Sequence, residues 1–243
     1  MPNWCYNHLT VEAEGEWNED PKVIEENQTR AQAELLKFKK ENFKDLGEDD
    51  DTQVLTFNGT VPMPDTLRIT SGTTTDRAIA YLLAKTKDDY LEVDKIAGYQ
   101  WAPEHYGFKE EDEINLKRVK ILKVMEKEVT KSQIEEAEKA LLNEKMYGHK
   151  DWYNWSIQNW GTKWDAGESG TNHDTENELH VSFDTAWSPP TPWLQKVTER
   201  YKLLKFTLEY SEEGNGFEGK AFARNGEMED NCMEVNYPDR FFD

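Results

Sequence analysis

The sequence predicts an α+β protein built on a split β-α-β antiparallel sheet, with helices on one face and a helical insertion. Three observations lead there. Residues alternate between two faces near both ends of the chain, first at Cys5, Asn7, Leu9 and Val11, then at Val181, Phe183, Thr185 and Trp187, and again at Phe206, Leu208 and Tyr210. Segments with helical spacing and cap signals connect these runs. Within the stretch between, Glu110–Lys145 is charged with alternating sign and helical in pattern. The order β–α–β, helical insertion, β–α–β–β defines the class.

The first strand is expected over Cys5–Val11. Asp20-Pro21 supplies an N-cap followed by proline at the first helical position, so a helix starts there. Ile24, Ala31, Leu35 and Phe38 continue it, and Gly47 closes the segment. Val54–Val61 reads as a second strand, stopped by Pro62-Met-Pro64. Thr66–Thr75 is irregular in pattern, and Ala78–Ala84 begins a short helix. A helical hairpin follows, its first arm carrying Ile114, Ile121, Leu122 and Met125. Its second arm begins at a capping box of Ser132 and Glu135, with Ile134, Ala137, Leu141 and Leu142 as the buried stripe. Asp165–Glu178 reads as a polar loop. Thr191-Pro192 opens a helix with Leu194, Val197, Tyr201 and Leu204 toward the core. Glu212–Gly216 is a hairpin turn, and Phe217–Arg224 returns antiparallel. The expected organisation is 1–65 as the N-terminal part of the sheet domain, 66–150 as the insertion, and 151–243 as the tryptophan-rich helix and C-terminal part of the sheet.

Four of the nine tryptophans fall between Trp152 and Trp164. Trp152, Trp155 and Trp160, completed by Ile157 and Trp164, form an aromatic stripe on a helix, and each indole N–H needs a partner when buried. The stripe is expected to pack against a sheet face made by Val181, Phe183, Phe206 and Leu208.

At 243 residues the chain can bury a substantial core, although only 36% of it is hydrophobic. Forty-nine acids against twenty-nine bases leave a formal charge of −20. That balance disfavours direct phosphate-led binding of nucleic acid and attachment to anionic membranes, and it favours basic partners. The start of the chain lacks a basic segment followed by an apolar run, so no secretory leader is expected. Cys5 and Cys232 could meet if both terminal strands share a sheet, but two cysteines make no disulfide framework. A reduced, cytoplasmic protein of a bacterial host is the expectation.

Several motifs then carry a family likeness. Pro2-Asn-Trp-Cys-Tyr-Asn7, Asp151-Trp-Tyr-Asn-Trp155, Asn159-Trp-Gly-Thr-Lys-Trp164, Phe183-Asp-Thr-Ala-Trp-Ser-Pro-Pro190, and Glu213-Gly with Phe217-Glu-Gly219 resemble the YubB-type ferredoxin-like domain family of conjugative plasmids and bacteriophages. The likeness covers both ends of the chain, while about 66–145 carries no matching motif. It implies a ferredoxin-like split β-α-β fold and a mobile-element origin. It implies no catalytic residues, and the name describes a fold, since the chain lacks the cysteines of an iron–sulfur cluster.

Candidate chemistry is sparse. His173, Asp174, Glu176 and His180 are ligand types suited to zinc or iron, but their spacing matches no metal motif. No metal and no cofactor is therefore expected. Asp49, Asp50 and Asp51 lack the alternation of a calcium loop. No nucleophile elbow or phosphate-cradling glycine loop occurs, and no catalytic residue is assigned. The expected function is that of a non-enzymatic acidic interaction protein binding a host protein, as an inhibitor of a bacterial defence system and a possible nucleic-acid mimic. The expected contact residues are Glu12, Glu14, Glu16, Trp17, Glu48, Asp49, Asp50, Asp51, Trp101, Glu110, Glu111, Asp112 and Glu113, with the tryptophans as anchors. The alternative is a small enzyme or nucleotide-binding module whose pocket uses Trp155, Trp160, Asp184 and Trp187.

Overall fold

Strand β1 (Trp4–Ala13) shows its two faces residue by residue. Cys5, Asn7, Leu9, Val11 and Ala13 are buried, whereas Trp4 and Tyr6 are exposed and His8, Thr10 and Glu12 are partly so. The structure is a computed structural model describing residues 3–47, 50–86, 102–109 and 111–235. Helix α1 (Pro21–Asn42) begins where expected, with the Asp20 carboxylate accepting from the Lys22 N–H. It buries Ala31, Leu35 and Phe38 and stops at Asn42, short of Gly47. The reason lies in Asn42 itself. Its buried amide donates to the Phe38 carbonyl and the Tyr201 hydroxyl, both at 3.0 Å, and accepts from Thr60 at 2.8 Å. Phe43 is already extended, and β2 (Phe43–Gly47) pairs with β3 (Asp50–Leu55) in a separate two-stranded sheet.

The strand expected over Val54–Val61 therefore ends at Leu55. A 3-10 turn, Phe57–Gly59, replaces its second half. The Asp165 carboxylate holds that turn, accepting from Phe57 N–H and Thr56 Oγ1 at 2.6 Å and from Asn58 Nδ2 at 3.0 Å. Gly59 packs so closely on α1 that a Cβ would lie 1.9 Å from the Glu41 carbonyl oxygen.

The chain divides into two compact units, residues 1–63 with 156–243, and residues 64–155. The second unit is helical: α2 (Thr73–Thr86), α3 (Ala102–Tyr106), α4 (Ile114–Glu128) and α5 (Lys131–Tyr147). Tyr81, Ala84, Tyr106, Phe108, Ile121 and Met125 are buried in one cluster, and Ala78, Ile79, Ala137 and Ala140 in another. The capping box of α5 belongs to Thr130 and Gln133 instead of Ser132 and Glu135, because Val129 and Thr130 are extended and Ser132 is already inside the helix. The buried stripe shifts with it. Leu142 and Ile114 face solvent, while Asn143 is buried and donates to the Thr66 and Lys150 carbonyls. The division falls within α6 (Trp152–Trp160).

In the first unit, β4 (Gly167–Asp174), β5 (Glu178–Ala186), α7 (Thr191–Arg200), β6 (Leu204–Glu212), β7 (Phe217–Arg224) and β8 (Glu227–Glu234) follow. The main sheet has the order β4-β5-β1-β6-β7-β8, and every neighbouring pair is antiparallel. Strands β5 and β6 flank β1 and run parallel to each other, joined by α7, which is the split β-α-β unit. The expected class therefore holds. Strand β4 replaces the polar loop expected over Asp165–Glu178, and β8 is a strand without a counterpart in the hydropathy pattern. Both are edge strands whose side chains are mostly exposed, so neither carries an apolar alternation.

Helices α1 and α7 cover one face. Phe38 meets Phe206 at 5.7 Å and Tyr201 at 5.2 Å. Trp193, fully buried, lies 4.8 Å from Phe57. The tryptophan stripe is less uniform than expected. Trp155 and Trp160 are buried, but Ile157 and Trp164 are exposed. Trp160 donates its indole N–H to the Val61 carbonyl at 2.9 Å and packs on Phe57 at 5.9 Å. Phe57 in turn meets Phe183 at 6.0 Å, so this ring stands between Trp160 and the sheet.

Truncating a buried aromatic ring removes apolar area and leaves a cavity, about 3–5 kcal/mol in well-packed cores. Phe57→Ala is expected to destabilise by that amount and Trp160→Ala by a similar one, read as loss of melting temperature in thermal denaturation. Unchanged melting of either variant would refute its place in the core.

Candidate functional site

Among the described residues of this unit no helix covers the other face of the main sheet, and its side chains line up across the strands. Pairing registers place Asp184, Tyr6, Ser211, Glu218 and Met233 in one lateral row across β5, β1, β6, β7 and β8. Ser182, His8, Glu209, Lys220 and Asn231 form the adjacent row. Together with Glu168 of β4 these rows line an open trough of about 760 Å³. Neighbouring strands lie ~4.8 Å apart, so a row of five residues spans roughly 19 Å, the reach of an extended peptide of several residues.

The floor of the trough carries both apolar and polar surface, and its charges are unevenly paired. Lys220 donates to Glu209 at 2.7 Å, and the ammonium holds the Glu209 carboxyl below its ordinary range. His8 Nδ1 lies 3.2 Å from Ser182 Oγ. Beyond it the His8, His180 and His173 rings follow at 5.5 and 5.3 Å. At the β4 end the balance differs. Burial, and then the charge of Glu168, push the Asp184 carboxyl above its ordinary value. Glu168 sits at φ +40° in a bulged part of β4, where Gly167 pairs with Asp184.

Three half-exposed indoles surround one end of the sheet. Trp4 and Trp164 are 6.1 Å apart, and the Lys163 ammonium lies 4.5 Å from the Trp164 ring and 5.0 Å from that of Trp187. Trp187 has φ +70° and donates its N–H to the Asn3 carbonyl at 2.9 Å.

The structure distributes the sequence-predicted residues as follows. Glu12 stands on the open face and pairs with Lys205 at 2.9 Å, while Glu14, Glu16 and Trp17 are exposed in the segment between β1 and α1. Glu48, Asp49, Trp101 and Glu110 lie outside the described residues, as do the side chains of Asp50 and Asp51 at the start of β3. Glu111, Asp112 and Glu113 belong to the second unit. Asp112 is engaged there by Lys120 Nζ at 2.6 Å and the Lys109 N–H at 2.9 Å, which lower its pKa in that order. Within the first unit, Trp160, Asp184 and Trp187 of the alternative pocket are not brought together. Trp155 belongs to the second unit, Trp160 faces the helix-covered core, Asp184 lies on the opposite face of the sheet, and Trp187 joins the exposed indoles. Of the metal-ligand types, His173 and His180 stay adjacent while the two acids are engaged or exposed elsewhere. Asp174 is taken by Lys39 and Glu176 is exposed. Among the described residues no three His, Cys, Asp or Glu side chains converge as metal ligands.

Sequence reasoning missed Tyr6, His8, Glu168, Ser211, Glu218 and Met233. One signal was available. Trp4, Tyr6 and His8 put three rings in succession on the outward side of β1, where a merely solvated strand face carries polar residues.

A family model described as a ferredoxin-like domain in Api92-like protein matches residues 159–237. That segment contains β4 through β8 with α7, and β1 completes the sheet from outside it. The main sheet is thus ferredoxin-like. No curated protein matches the chain. Among solved structures, the crystal structure of protein Api92 from Yersinia pseudotuberculosis is similar, at 11% identity and a TM-score of 0.38, over 98% of this chain and 99% of that one. Among the described residues no helix is long and apolar enough to cross a membrane.

Two measurements test this description. A carboxyl raised on folding binds its proton more tightly in the folded state, so its contribution to stability is present below the unfolded pKa and is lost as pH rises through the folded one. Asp184→Asn should therefore melt with wild type in acid and above it at neutral pH; equal melting at neutral pH would remove the burial and repulsion argument. Burial also pushes the Cys5 thiol up to about 12, while Cys232 is exposed. A thiol reagent at neutral pH should modify one cysteine in the folded protein and both after denaturation.

Proposed function

We propose that the protein is a non-enzymatic, acidic interaction protein of a bacteriophage or conjugative plasmid, and that it binds a host protein through the open face of its main sheet. On this reading the partner is a basic, nucleic-acid-handling protein of a bacterial defence system, occupied in place of DNA. The observation that carries the reading is the trough, a ready concave surface across the ferredoxin-like sheet with unneutralised carboxylates at one end. The charge of −20 supports it, because a strongly acidic surface accelerates encounter with basic partners and repels phosphate backbones. The motif likeness to the YubB-type family supplies the mobile-element setting. The exposed indoles Trp4, Trp164 and Trp187 add hot-spot residue types at the same sheet.

The test compares wild type with Ser211→Arg, which puts bulk and positive charge into the middle of the trough. Both are immobilised and exposed to bacterial lysate, and retained proteins are identified by mass spectrometry. A basic host protein should be retained by wild type, lost with Ser211→Arg and displaced by duplex DNA. Identical retention by both would overturn the reading of the open face. A large thermal stabilisation of wild type by a nucleotide, with no such host protein, would make the trough a small-ligand site instead.

A further inference from the structure

Accepting the open face as the binding surface, we propose that the β4 end of the trough seats an arginine or lysine side chain from an extended basic segment of the partner. Asp184 and Glu168 face its charge, and Tyr6 takes its apolar or planar part. The register fixes this arrangement. Tyr6 is directly paired with Asp184 on β5 and Ser211 on β6, and Gly167 on the far side of Asp184 brings Glu168 alongside.

The pairing of charges on this face singles out the subsite. Glu209 has Lys220 and Glu12 has Lys205, each within 2.9 Å. The carboxylates of Asp184 and Glu168 have neither a hydrogen bond nor an ion pair among the described residues, and the charge of Glu168 raises the electrostatic cost of ionising Asp184. A cation entering between them removes that repulsion and gains two charge-assisted contacts. Tyr6, about half exposed, offers a ring face beside them, and a guanidinium stacks on such a face while its fork engages a carboxylate. The trough is open along the row toward Ser211, Glu218 and Met233, so the main chain of a peptide can continue across the strands. A phosphate-bearing ligand is repelled by the same carboxylates. A compact apolar ligand finds no enclosed pocket here, since the trough is open along its length.

The probe is a fluorescent eight-residue peptide alternating arginine and glycine, titrated against the full chain and followed by anisotropy, with the glutamate-for-arginine peptide as control. The double variant Asp184→Asn with Glu168→Gln should bind it about tenfold or more weakly, which is ~1.4 kcal/mol or more. Tyr6→Ala should weaken it by a smaller factor. The double variant Glu25→Gln with Glu26→Gln removes the same charge from the exposed side of α1 and should change affinity by less than about twofold, as expected for solvent-screened charges. Equal loss from both double variants would reduce the binding to bulk charge and overturn the subsite, as would no binding by wild type. Melting curves of the variants separate loss of binding from loss of fold. A host protein still retained by Asp184→Asn/Glu168→Gln would overturn this inference while leaving the interaction reading standing. Subsite-dependent peptide binding without any retained host protein would support the subsite and count against the host partner alone.

Discussion

The register of β1 is the constraint on which the rest of the main sheet depends. This strand lies between β5 and β6, whose residues come from the other end of the chain, so its position is set entirely by long-range pairing. Asn7 supplies the specificity within it. Its buried Nδ2 lies 2.8 Å from the Cys5 carbonyl oxygen, 3.2 Å from that of Phe183 and 2.9 Å from Thr185 Oγ1. The side-chain period of a strand is two, so a slip of one residue would carry Asn7 to solvent and Tyr6 and His8 into the core. It would also leave buried acceptors unpaired, at about 1–3 kcal/mol each. The same register assembles the lateral rows of the trough, so one buried amide links the fold to the candidate site.

Phe57 plays the corresponding part in packing. It comes from a 3-10 turn, not from a strand or long helix, yet Trp160, Phe183 and Trp193 all meet its ring. The turn is held by Asp165, a residue on the far side of the helical unit in sequence, through three hydrogen bonds to Thr56, Phe57 and Asn58. An acid at the end of the tryptophan segment thereby positions the ring on which that segment packs.

Legibility in the sequence followed burial. β1, β5, β6 and α7 each bury one face and expose another, so their alternation or helical stripe stood out, and the split β-α-β class with it. Strands β4 and β8 expose most side chains and are held by backbone pairing, which leaves no apolar period to read. Asn42 and Asp165 end or bend segments through side-chain hydrogen bonds to distant residues, and local propensity does not encode such partners. The trough was illegible for a related reason. Its rows are made by lateral pairing of residues from five strands, while Glu14, Glu16, Glu111 and Asp112 lie in connecting segments, where adjacency in sequence reflects solvation or, at Asp112, local pairing.

Two residues beside the trough are held where backbone conformation is unfavourable. Glu168 and Trp187 both have positive φ, and a side chain larger than glycine costs on the order of 1–3 kcal/mol in such a position. Trp187 is fixed by its bond to Asn3 and by Lys163 over its ring. Among the described residues Glu168 has no comparable support, and the neighbouring Gly167 and Gly170 show that glycine is accommodated along the same strand. A glycine at 168 would relieve both the backbone strain and the repulsion against Asp184, because the two effects act in the same direction. Stability alone therefore gives no reason for a glutamate there. What the glutamate adds is a second carboxylate beside Asp184, on an open face where Glu209 and Glu12 already have Lys220 and Lys205, and on the proposed reading that charge serves a cationic partner and not the isolated fold.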